Sequence, residues 1–136
     1  MAEINVDYLK KCIETMEISL FHLQRAAEDS IEYEMYRNSL VKGFELTLEQ
    51  SGKLLKKKMT AYFATKKQAD SLTFKDIFRY AAKHGLLTSE ETERWLIYRD
   101  NRNSTAHNYG QHFADVTVQL AENFLQDARK LLEILS

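Results

Sequence analysis

Leu9, Ile13, Met16, Leu20, Leu23 and Ala27 recur at alternating intervals of four and three. That interval places side chains on one face of an α-helix. Cys12 and Ile18 widen the apolar stripe, while Lys10, Lys11, Glu14, Glu17 and Gln24 take the other side. Asn5 or Asp7 is placed to cap the start of this helix. His22 falls off the stripe and reads as a surface or boundary residue. Ser30 ends this helix or opens the next.

A second stripe, Val41, Phe44, Leu48, Leu55, Met59 and Tyr62, predicts a long helix over about 32–64. Ser51 and Gly52 occupy its missing turn. Glycine inside a helix costs about 1 kcal/mol against alanine, so Gly43 and Gly52 point to close approach of a neighbouring helix or to a slight bend. Some thirty residues at 1.5 Å each give a helix of about 45 Å, long enough that part of it suits a subunit interface. Lys53, Lys56, Lys57, Lys58, Lys66 and Lys67 gather towards its end. The plain reading is a solvated helix end whose cations suit the dipole; the sharper one is a local phosphate-attracting patch.

Residues 65–72 read as a polar connection. Ser71 or Thr73 then caps a short helix carrying Phe74, Ile77, Phe78, Tyr80 and Ala81, and Lys83-His84-Gly85 is a helix stop. Thr88 and Glu91 have capping-box spacing and open a helix carrying Trp95, Leu96 and Tyr98. Phe113, Val116, Leu120, Phe124, Leu131 and Leu135 mark a last helix, with Ala121 and Ala128 allowing close packing.

Composition agrees with this pattern. The chain of 136 residues has no proline and only four glycines, against the many turns of an all-β fold. It is 44% hydrophobic and 29% charged, an ordinary globular balance. The expected fold is all-α: one domain, 1–136, built as an up-and-down bundle of four to five helices. Nineteen basic residues face twenty acidic ones, a formal charge of -1, which excludes attachment to nucleic acid by bulk charge but not by a local basic groove. Cys12 is the only cysteine, so neither an internal disulfide nor a thiolate metal cluster can form. With no secretory signal and no membrane-length apolar run, the expected location is the cytoplasm.

Against this helical background Arg99 to Gly110, Arg-Asp-Asn-Arg-Asn-Ser-Thr-Ala-His-Asn-Tyr-Gly, reads as a polar break. Four residues separate Arg102 from His107. Arginine is a permanent cation whose fork binds two phosphate oxygens, and histidine exchanges a proton near neutrality. The two suffice for RNA cleavage without metal: one activates the ribose 2′-hydroxyl or protonates the leaving oxygen, the other stabilises the charged phosphorane. Asn103, Ser104 and Thr105 offer neutral hydrogen bonds, Arg99 a supporting cation, and Tyr109 a hydroxyl at the mouth. The plain alternative is loop composition that caps the following helix. His107 and His112, without cysteine or a well-spaced carboxylate, argue against zinc, and the scattered glycines exclude a phosphate-binding loop.

Through Arg102-Asn103-Ser104-Thr105-Ala106-His107-Asn108-Tyr109 the chain resembles the HEPN superfamily, and within it the branch of nucleotidyltransferase substrate-binding proteins. That branch carries an arginine, a polar residue, three variable residues, a histidine and, after one more residue, a tyrosine. Trp95 through Arg99 and the flanking long helices are also similar. The resemblance implies a helical bundle, commonly a homodimer with motifs facing across the interface. It implies a metal-independent ribonuclease toxin needing no cofactor, with Arg102 and His107 as catalytic pair and Asn103 beside them. It implies a small nucleotidyltransferase as antitoxin partner, able to adenylylate Tyr109. The alternative expectation is a non-catalytic subunit that presents a nucleotide or substrate to the transferase.

Overall fold

In the computed structural model, which describes residues 4–63, 65–104 and 111–136, the first stripe becomes the inner face of α1 (Asp7–Leu23). Leu9, Ile13, Met16, Leu20 and Leu23 are all buried. Ile18, expected at the stripe's margin, is exposed instead: at about 100° per residue it lies half a turn from the stripe. Ala27 is exposed beyond the helix end. Neither Asn5 nor Asp7 is the cap. Val6 occupies that position, and Asn5 Oδ1 accepts a bond from the Asp7 backbone N–H at 2.9 Å.

Ser30 opens the second helix, α2 (Ile31–Met59), accepting from the Tyr33 backbone N–H at 3.1 Å. The helix stops at Met59, short of the expected 64, and a 3₁₀ turn, Thr60–Tyr62, follows before Phe63 extends. With the register lost, Tyr62 leaves the stripe and is 47% exposed. The expected polar connection contains a short helix, α3 (Lys66–Asp70), capped by Thr65, whose side chain accepts from the Gln68 backbone N–H. This local cap was hidden by the absence of any apolar period, and it makes six α-helices among the described residues where four to five helices were expected.

Thr73 rather than Ser71 caps α4 (Phe74–Lys83), in a reciprocal box with Asp76. That bonding draws the Asp76 carboxyl below its ordinary pKa. Gly85 ends the segment at φ +79°, where only glycine is unstrained. Thr88 and Glu91 bond each other's backbone N–H at the start of α5 (Ser89–Ser104), as their spacing predicts. The last helix is α6 (Gln111–Leu135). There is no strand among the described residues.

α1 runs antiparallel to both α2 and α6, as cross-helix partners demonstrate, so α2 and α6 run parallel, with Arg37 beside Asp115 and Phe44 against Phe124. α1 meets α2 where the Ser19 and Ser39 hydroxyls lie 2.7 Å apart and where Gly43 faces Met16. α6 lies along α1, with Gln24 donating to Glu122 and Arg129 pairing with Glu17. α5 packs between α4 and α6. At the centre Phe44, Phe78, Trp95, Tyr98 and Phe124 form one aromatic cluster, with Phe78 stacked on Trp95 at 4.8 Å and Phe44 edge-on to Phe124 at 4.7 Å. Cys12 is buried beside this core, and burial pushes its thiol pKa up, away from nucleophilic use.

Candidate functional site

The site is built on α5, whose position is set first by a buried polar knot. Asp127 of α6 is 3% exposed. Its carboxylate accepts two 2.8 Å bonds from Arg94, through Nε and Nη2, and a 2.5 Å bond from the Tyr98 hydroxyl. Burial, then the bond to Asp127, raise the Tyr98 phenol well above its ordinary pKa. The fork-to-carboxylate geometry fixes direction as well as distance, so α5 cannot easily rotate about its axis against α6.

From Arg99 onward, four consecutive side chains attach to three different helices. Arg99 lies over the Phe74 ring of α4, 5.0 Å from its centroid. Asp100 pairs with Lys75, also of α4, at 2.5 Å. Asn101 Nδ2 donates to Thr117 Oγ1 of α6 at 3.1 Å. The Arg102 guanidinium lies 3.6 Å from the Glu45 carboxylate of α2. Successive residues on a helix point about 100° apart, so the end of α5 reaches its neighbours in turn. Arg102 itself stays partly open to solvent, with 37% of its side chain exposed against 14% for Glu45.

The polar stretch therefore does not break at Arg99. Its first half, Arg99 to Ser104, is the end of α5; neither glycine nor proline interrupts it, and the side chains from Arg99 to Arg102 meet neighbouring helices rather than competing for their own backbone. Arg99, Arg102 and the exposed Asn103 share this helical end, and Ser104 closes it. Thr105, His107 and Tyr109 lie outside the described residues. α6 resumes at Gln111, with His112 exposed in its first turn.

Two residues that shape the site were missed from sequence. Glu45 sits among the charges of α2 with nothing local to separate it from ordinary surface carboxylates. Asp127 did carry a signal: with Leu120, Phe124 and Leu131 it completes intervals of four, three and four, so an acid on the buried stripe marked a core ion pair. Chemically, the end of α5 presents a partly exposed guanidinium, a group whose planar fork suits the oxygens of an anion.

Residues 11–136 match the family described as nucleotidyltransferase substrate binding protein like. The chain is 26% identical over 137 aligned positions to a protein named probable ribonuclease HepT, from Haemophilus influenzae, covering 98% of this chain and 92% of that one. It is similar in structure to a Haemophilus influenzae protein described as the substrate-binding domain of a nucleotidyltransferase, with TM-score 0.81, 26% identity, and coverage of 96% and 98%. The fold is also shared with a tri-AMPylated Shewanella oneidensis HEPN toxin in complex with an MNT antitoxin, at TM-score 0.64, 15% identity, and coverage of 94% and 96%.

Proposed function

Because the chain belongs to the nucleotidyltransferase substrate-binding-protein-like family, a branch of the HEPN superfamily, we propose that it is a metal-independent ribonuclease toxin restrained by a nucleotidyltransferase antitoxin. The observation that carries the reading is Arg102, held on the last turn of α5 beside Glu45 and still partly exposed, at the head of the Arg-x4-His-x-Tyr motif. In this reading the whole chain is one HEPN-like domain acting in the cytoplasm as a homodimer.

His107 exchanges the proton of the ribose 2′-hydroxyl or of the leaving oxygen. Arg102 binds the phosphate oxygens and stabilises the charge that builds on them. Asn103 adds a neutral hydrogen bond, and Glu45 orients the guanidinium. Arg99 supports the cationic surface, while Ser104 and Thr105 offer further polar contacts. When the partner adenylylates Tyr109, the attached nucleotide occupies the RNA path and competes for Arg102.

The test is cleavage of RNA by the partner-free protein beside Arg102→Ala and His107→Ala. Each substitution is expected to reduce the rate by at least about a hundredfold. Wild type that cleaves no RNA, or variants that cleave as well as wild type, would overturn the reading. Intact mass after co-expression with the transferase is expected to rise by AMP, and Tyr109→Phe to abolish that rise.

The family's description as substrate-binding favours a second reading, a non-catalytic subunit that presents a nucleotide to the transferase. It predicts nucleotide binding that survives His107→Ala and is lost with Arg102→Ala, without RNA cleavage by the wild type.

A further inference from the structure

Charge is distributed very unevenly in a chain whose total is near zero. Residues 51–84 carry nine Lys and Arg against two Asp, a formal +7, whereas the remaining residues carry ten against eighteen, a formal -8. The positive segment is the end of α2, the 3₁₀ turn, α3 and α4. Some of these cations are engaged: Lys56 pairs with Asp70, Lys75 with Asp100, and Arg79 with Asp76. Lys57, Lys66, Lys67 and Lys83 are exposed, with no carboxylate within ion-pair distance among the described residues.

Within this positive surface four rings form a continuous ladder. Tyr62 stacks on His84 at 4.3 Å, His84 adjoins Tyr80 at 4.7 Å, and Tyr80 stacks on Phe63 at 4.7 Å. Tyr62 and His84 are exposed. Lys83 Nζ lies 6.0 Å from the Tyr80 ring centroid. Core packing does not explain an exposed tyrosine stacked on an exposed histidine, and helix-dipole compensation does not explain rings among the cations. Exposed rings among unpaired lysines are the combination that binds unpaired bases and their phosphates together.

We propose that this surface, the Tyr62–His84–Tyr80 ladder with Lys66, Lys67 and Lys83 around it, is a second RNA site that binds single-stranded RNA by base stacking and phosphate neutralisation. The inference rests on the ribonuclease reading for the identity of its ligand. The site is separate from Arg102: the ladder lies at the far end of α4 from Phe74, where Arg99 is attached. Ten residues of helix span about 15 Å, so one strand can engage both. Duplex RNA keeps its bases stacked on one another and offers none to the rings, and an acidic protein would use the lysines without the rings. Single-stranded RNA uses both.

The experiment is fluorescence anisotropy with labelled oligouridine, in the full-length His107→Ala background so that no strand is cut. Tyr62→Ala is expected to weaken binding about tenfold, Tyr62→Phe to keep it, and His84→Ala to weaken it similarly. Lys66→Ala with Lys67→Ala is expected to flatten the slope of log affinity against log salt by about 1.4, two phosphates' worth on a single strand. Oligouridine duplexed with oligoadenine, and polyglutamate, are expected to compete poorly. Binding indifferent to both Tyr62→Ala and His84→Ala, or equally tight binding of duplex or polyglutamate, would overturn the proposal. Because binding is read without cleavage, failure here differs from failure of the ribonuclease reading, which appears as intact RNA with the wild type.

Discussion

Asp127 illustrates how one residue governs a site it does not touch. It is the shared acceptor for Arg94 and Tyr98, and all three hydrogen bonds converge on a carboxylate that is 3% exposed. Removing that carboxylate strands the buried Tyr98 hydroxyl without its acceptor and without water, whereas Arg94, with 38% of its side chain exposed, regains solvent. Asp127→Ala is therefore expected to destabilise the fold by about 2 kcal/mol, measured as a lower urea midpoint at unchanged m-value. A change below about 0.5 kcal/mol would mean that the knot contributes nothing. Tyr98 adds a pH signature. Its phenol pKa is raised in the fold from an ordinary value of 10.0, so the folded chain keeps a proton that the unfolded chain releases. That stabilisation is complete below about pH 10 and is lost as pH rises towards the folded value. Tyr98→Phe is expected to flatten the alkaline decline in stability between about pH 10 and 12; an unchanged slope would refute the assignment. The acid at position 127 was legible as an exception on an apolar stripe. Its partners were not, because helical periodicity says which face a residue occupies but not what faces it.

At the scale of elements, small residues decide how closely helices approach. A Cβ built on Gly52 would lie 2.5 Å from the Phe74 ring, and one on Gly43 would lie 3.2 Å from Met16 Cβ. Phe74 in turn stacks on Phe78 and lies under Arg99, so the contact at Gly52 helps set where α4 meets the end of α5. Gly52→Ala gains about 1 kcal/mol of helix propensity but overpacks a filled contact at a cost of about 1–3 kcal/mol. It is expected to destabilise wild type, and to stabilise the Phe74→Ala background by about 1 kcal/mol. Thermal melts of the four proteins test this, and the same sign in both backgrounds would refute it. Sequence left a close neighbour or a slight bend open at Gly52; packing decided for the neighbour and identified it as Phe74. Caps were similarly legible where side chain and backbone lie within one turn, as at Thr88–Glu91, while for α4 the sequence left Ser71 and Thr73 open and the structure chose Thr73, boxed with Asp76. The short α3 lacked an apolar period and was missed.

For the molecule as a whole, the chain by itself determined the all-helical class, five of the six α-helices among the described residues, most of the buried stripes and the motif from Arg102 to Tyr109. These depend on residues within three or four positions of one another, and the helix places such neighbours together whatever the rest of the protein does. Tertiary structure decided that Arg99 lies over Phe74 and that Arg102 meets Glu45. It also decided that Asp127 ties α5 to α6, and that Tyr62 and His84 stack in a basic surface. Each of these joins positions far apart in the chain. Their proximity depends on how whole helices pack, and that is set by the sum of core contacts rather than by any local pattern.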